Sequence, residues 1–209
     1  MKKLLFTAAI AVLGFTSVNA QEDTTVGGFA NGDVFISGAV GFGSTTQGDS
    51  KDNQFEISPK VGFFVSDNIA VGVSLGFESF KNENSGINPV TFEEATIESK
   101  RTSLSAGVFG RYYATPASQF SFFGELAAKF VASKNEQDFV EEDQKFDGLD
   151  FEFAPGISYF VSDSITLEAS IGVLGYNTFK ADVDGAEARN QFNIGLDLSD
   201  INFGIAYKF

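Results

Sequence analysis

Nine charged residues share one alternating phase of otherwise apolar stretches: Glu56, Lys60, Glu78, Arg111, Glu125, Lys129, Glu152, Glu168 and Lys208. Two facing carboxyls could serve as a general acid and base, as in glycoside hydrolysis. Acids and bases on one face could equally neutralise each other. The chain has no His and no Cys. That removes Ser-His-acid hydrolysis, thiolate nucleophiles, thiolate metal sites and disulfides. The nine are therefore expected to form an ion-pair network, with no catalytic residue, no cofactor and no metal. Two acidic stretches have part of a calcium-loop pattern: Asp182-Val183-Asp184-Gly185 and Glu141-Glu142-Asp143. Neither completes the ligand set, because Glu187 comes too early to close an EF-hand loop. Glycines such as Gly107 and Gly110 are not phosphate loops, since they lack the Lys and the following helix.

Strands are the elements that would put these nine residues on one face. A strand sends alternate side chains to opposite faces. Dyad patterning predicts eight strands, at about 33–43, 54–65, 69–80, 101–113, 119–132, 149–161, 165–176 and 190–209. The opposite phase is apolar and uncharged within these spans, as in Val71, Val73, Leu75 and Phe77, or Phe120, Phe122, Leu126 and Phe130. In strand 7 it comprises Leu167, Ala169, Ile171 and Val173. The phase of the last strand shifts between Leu198 and Ile201, which predicts a bulge near Ser199-Asp200.

The connections alternate in length. Ser66-Asp67-Asn68, Ala114–Ser118 and Ser162-Asp163-Ser164 read as short turns, being rich in Ser, Asp, Asn and Pro. Residues 44–53, 81–100, 133–148 and 177–189 read as long acidic loops. A four-strand repeat runs through the chain, with Phe55-Glu56-Ile57-Ser58-Pro59 echoed by Phe151-Glu152-Phe153-Ala154-Pro155. In both copies a Phe-Val-Ser-Asp turn follows.

Both ends point to export. Met1-Lys2-Lys3, the apolar run Leu4–Phe15 and Val18-Asn19-Ala20 form a secretory signal peptide over residues 1–20, with the mature chain starting at Gln21. No later apolar run approaches the ~18 residues of a spanning helix. At the other end Phe203, Ile205, Tyr207 and Phe209 alternate with Asn202, Gly204, Ala206 and Lys208, so the chain closes on an aromatic. The formal charge is −14, which argues against a nucleic-acid partner.

This ending, the repeat and the turn pattern resemble those of small bacterial outer-membrane β-barrels, the OmpA/OmpX-like or porin family of Bacteroidetes type. The resemblance implies an all-β, eight-stranded antiparallel barrel over residues 33–209, preceded by a periplasmic segment 21–32. It implies short periplasmic turns, long acidic extracellular loops and a C-terminal signal read by the outer-membrane assembly machinery. Basic side chains facing the bilayer midplane cost roughly 2–4 kcal/mol each, so the nine charges must point into the lumen. The same count argues against a dry apolar interior. Aromatics of the other phase near the short turns, namely Phe63, Tyr112, Phe120, Tyr159, Tyr207 and Phe209, would form the interfacial girdle. The expected role is structural: a barrel with a filled polar lumen that supports the envelope or binds a partner through its loops. The alternative is a low-conductance porin for ions or small solutes.

Overall fold

A computed structural model describes residues 27–140, 142–183, 185–196 and 201–209. The signal peptide, Gln21, Glu141, Asp184 and the expected bulge at Ser199-Asp200 lie outside the described residues. Among the described residues, ten strand segments form one antiparallel sheet: β1 (Val34–Gln47), β2 (Ser50–Phe64), β3 (Ile69–Ile87), β4 (Glu94–Tyr113), β5 (Phe120–Gln137), β6 (Gln144–Phe160), β7 (Ile165–Ile171), β8 (Leu174–Ala181), β9 (Arg189–Ile194) and β10 (Ile201–Lys208). β7 and β8 are two pieces of the seventh stave, and β9 and β10 two pieces of the eighth. Pairing of β5 with β6 and of β1 with β10 closes the sheet into an eight-stranded barrel. Over the paired rows closure removes the unpaired edges that lipid does not tolerate. Among the described residues, no pairing joins β9 to the far half of β1.

The apolar phase faces outward, where Val73, Leu75, Leu104, Val108, Phe122 and Leu126 are all exposed. Its upper limit is visible in the sequence of the outer face. On β4 and β3, Leu104 and Phe77 give way to Lys100 and Lys81, which sit opposite each other. From Tyr112 to Thr102 is ten residues, which at ~3.3 Å each and a tilt of ~40° spans about 25 Å, the height of an outer-membrane apolar band.

The far hairpins differ from the loops expected. Residues 44–53 are almost entirely strand, joined by a two-residue turn in which Gly48 takes a φ of +60°. A two-residue hairpin of this kind favours glycine at its first turn position. Most of 81–100 and 133–148 is likewise paired strand, up to Ile87 opposite Glu94 and Asn135 opposite Gln144. These stretches lack apolar alternation because above the band both faces meet water. Polar cross-strand pairs hold them instead: Asn82 donates to Asp52 at 2.5 Å and Lys81 pairs with Glu98 at 2.7 Å.

The seventh stave breaks where one continuous strand was expected. Outward residues run Leu167, Ala169 in β7 but Leu174, Tyr176 in β8, so the phase flips across Gly172-Val173. Val173 therefore does not continue the outward row. Its N–H donates to the Phe153 carbonyl at 3.0 Å, and its own carbonyl accepts from Gly195 N–H at 3.0 Å. The eighth stave also changes phase, from Phe192 and Ile194 outward in β9 to Ile201 and Phe203 in β10.

The segment 21–32, set apart from the barrel in the sequence reading, is not separate where it is described. Residues 27–32 enter the short-turn mouth. Phe29 N–H donates to the Pro116 carbonyl at 2.7 Å, and Lys208 Nζ to the Gly28 carbonyl at 2.6 Å. Gly28, at φ +146°, lies so near the Ala117 backbone that a Cβ there would sit 2.8 Å from it.

Candidate functional site: a two-storey lumen

The inward phase fills the barrel in two storeys. At the short-turn end, Phe29 stacks on Phe64 with ring centroids 4.7 Å apart and meets Phe160 edge-on at 4.8 Å. Phe35, Tyr113 and Phe123 complete this aromatic layer; Phe35, Phe64 and Tyr113 are fully buried. A dry apolar interior, set aside on the charge count, is therefore present in this half. Phe35, Phe64, Phe109, Tyr113, Phe123 and Phe160 share the inward phase of the charges, and a count of charges alone passes over them. Their parity was readable. Phe29 carried no such signal, being an isolated aromatic outside any strand.

Above and among the rings lies the ionic part of the floor. Arg111, 3% exposed, donates from Nε and Nη2 to Glu125 Oε2 at 2.9 and 2.6 Å. Its Nη1 donates to Glu168 Oε1 at 2.6 Å and to the Tyr113 hydroxyl at 2.8 Å. One guanidinium thus ties β4 to β5 and, across the lumen, to β7. Its planar cation also lies 4.3 Å from the Phe123 centroid and within 6 Å of Phe35, Phe109 and Tyr113. Rings and carboxylates together replace the water that a buried cation loses. Lys60 takes the other oxygen of Glu125.

The remaining charges divide. Lys129 pairs with Glu152 at 2.8 Å and, more loosely, with Asp150 at 3.4 Å. Glu56 and Glu78 sit opposite each other across β2 and β3 and make no ion pair or side-chain hydrogen bond among the described residues. Lys208 is not part of the glutamate network. It belongs to the rim, holding Gly28 and, at 3.8 Å, Asp33. Sequence reading missed Asp150, Tyr113 and Phe29 as partners.

The upper storey is a cavity of about 740 Å³. Its floor includes Glu56, Lys60 and Lys129, and its wall includes Ser58, Ser103 and Ser105. It lies on the long-hairpin side of Arg111, since its lining runs up β4 through Ser105 and Ser103 to Arg101. Phe203, Ile205, Tyr207 and Phe209 all point outward and are exposed, as is the rest of the girdle set.

A membrane-type barrel with a closed inner layer invites comparison with known families. The family model for the outer membrane protein beta-barrel domain matches residues 8–209. The chain belongs to this family. It is thus an outer-membrane β-barrel protein. No curated protein matches it. Among solved structures, OprG of Pseudomonas aeruginosa aligns at a TM-score of 0.51 and 15% identity, covering 88% of this chain and 99% of OprG. The N-terminal β-barrel domain of OprF from the same organism gives 0.42 and 14%, covering 87% and 100%. Neisserial surface protein A gives 0.42 and 16%, covering 87% and 99%. At 15% identity the likeness to OprG speaks only to the fold.

Proposed function

We propose that this barrel is a closed structural protein of the outer membrane. Its short turns face the periplasm. Its long acidic hairpins face outward, and the barrel supports the envelope or engages an extracellular partner through them. The observation that carries this reading is the floor. An eight-stranded lumen is just wide enough for side chains to fill, and here Arg111, Glu125, Glu168 and a layer of buried rings occupy it. An ion crossing this layer would have to displace a desolvated guanidinium from two carboxylates. The exposed row Phe203, Ile205, Tyr207 and Phe209 supports a role for β10 as the strand presented to the assembly machinery. None of the nine charges is assigned a catalytic role.

A low-conductance porin is the second reading, and the cavity is what favours it, because half of a path already exists. Single-channel recording of the refolded mature protein in planar bilayers separates the two. A closed barrel gives a baseline indistinguishable from bare lipid. Steady openings in the wild type would establish the porin.

A further inference from the structure

We infer that the upper storey is a blind binding cup, open at the long-hairpin end, for an uncharged polyhydroxylated solute of mono- to disaccharide size. The inference rests on the closed floor proposed above, which makes the cavity a cup rather than a passage. Three observations carry it.

The first is that the void is made by small side chains. One row lower, the same inward phase carries the buried side chains Phe35, Phe64, Phe109 and Arg111. In the cup it carries Ser58, Ser103, Ser105 and Gly76. Beside them on β1 a Cβ at Gly41 or Gly43 would meet only side-chain atoms, at 3.6 and 3.7 Å. Ordinary contact distances do not force glycine there. Packing would accept larger residues at these two β1 positions, whereas a Cβ at Gly76 would crowd the Ser105 hydroxyl, so the space along β1 is not imposed by the backbone. At about 740 Å³ it falls within the ~300–1,000 Å³ of small-molecule sites.

The second is the chemistry of the lining. Serine hydroxyls stand beside the amides of Asn135, Asn177 and Gln191, while Phe146 and Phe179 add apolar faces. Phe179 lies over Gly148, where a Cβ would collide with the ring. Donors and acceptors interleaved with aromatic faces suit a sugar ring, which offers hydroxyls at its edge and C–H groups on its faces.

The third is charge. The lining holds acids and bases in equal number, so neither sign dominates its inner surface. The basic groups nearest the floor, Lys60 and Lys129, are already paired. Glu56 and Glu78 make no ion pair among the described residues and remain available as strong acceptors for hydroxyl donors.

The test is a titration of ¹⁵N-labelled mature protein in phosphocholine micelles, since a maltoside detergent would compete. Glucose and maltose are the probes, with spermidine and citrate as charged comparators. Saturable amide shifts with a millimolar midpoint, confined to the cup rows of β2 to β6, β8 and β9, are expected for a sugar. Ser58→Phe, which fills the cup, should raise that midpoint at least tenfold. If Ser58→Phe fails to show heat-modifiable migration, Glu78→Ala carries the test and should weaken binding at least threefold. Shifts that never saturate, a midpoint unchanged in the variants, or spermidine or citrate saturating at lower concentration would overturn the inference. Conductance reports on the floor and the titration on the cup, so failure of one is distinguishable from failure of the other.

Discussion

The two storeys of the lumen are lined by the same strands and the same side-chain phase, yet they behave as different materials. In the floor, rings and a bridged guanidinium are packed away from water, with Phe35, Phe64 and Tyr113 at 0% exposure. In the cup, serines and unpaired carboxylates leave room for solvent or a guest. The strand number is the same throughout, so barrel geometry alone does not decide whether a small barrel is plugged. Residue size on the inward phase decides it, row by row. A buried charge therefore has opposite consequences in the two storeys. In the floor it is locked and costly to disturb, whereas in the cup Glu56 and Glu78 make no ion pair among the described residues and are replaceable.

The contrast predicts a graded series of substitution effects. The largest effect is expected for Arg111→Ala. It leaves Glu125 and Glu168 buried without their shared counter-charge, a loss of about 3–5 kcal/mol. Glu78→Ala in the cup should leave the detergent melting midpoint almost unchanged, and equal losses from the two would erase the distinction. Next comes Phe29→Ala. Deleting a stacked core ring costs about 3–5 kcal/mol in general. The lower end, about 3 kcal/mol, applies here because the freed terminal segment can return to water. Ion leakage should rise with it, measured as dye efflux from proteoliposomes.

A third comparison sets the outer face against the cup. Leu104→Arg places a cation on the lipid face near the top of the band, for a loss of about 1 kcal/mol. Its neighbour Ser103→Arg enters the cup and should cost no more than about 0.5 kcal/mol. Urea titration of the refolded barrel in vesicles reads both. The contrast must be made in the cup. Ser74 and Ala127 line the same cavity at its floor, but Ser74 is buried and Ala127 packs against the aromatic core, so an Arg at either would strain the wall.

The smallest effect lies beyond the membrane, in the exposed pairs of the β3–β4 hairpin. Hydrogen bonds to Glu98 and Glu83 hold the Lys81 ammonium well above its ordinary range, and Lys81 in turn holds Glu83 below the usual carboxylate range. A raised lysine contributes fully below its unfolded value and loses that contribution as pH climbs past its folded value. A depressed carboxylate contributes above its unfolded value and loses it as pH falls through the folded one. Between roughly pH 5 and 10 neither changes, so Lys81→Ala should leave the melting midpoint flat across that window. A pH-dependent difference inside it would give the hairpin pairs a weight that exposed ion pairs do not carry.

Much of this architecture was legible from periodicity. The outward rows on β2 to β6, the three short turns and the closing strand all follow from a strict two-residue repeat. The phase that put Arg111, Glu125 and Glu168 on one face was equally plain. What periodicity could not show was height. Lys60, Arg111 and Lys208 share a phase, but Lys208 sits at the rim and binds the N-terminal segment. Reading charges without the aromatics of the same phase also hid the dry floor. The far hairpins were lost for another reason. Water on both faces removes the need for apolar alternation, so paired polar strand is written like loop. Phe29 was illegible because its burial depends on a mouth assembled from Phe64, Tyr113 and Phe160, residues distant in sequence. The flip at Gly172-Val173 was hidden because Leu174 and Tyr176 are as apolar as the residues they succeed.

Planar-bilayer recording of three proteins tests the closed floor most directly. Wild type should show no steps above bare lipid, while Arg111→Ala and Phe29→Ala, each verified as folded by heat-modifiable migration, should show frequent openings. Steady conductance in the wild type, left unchanged by both substitutions, would contradict the account.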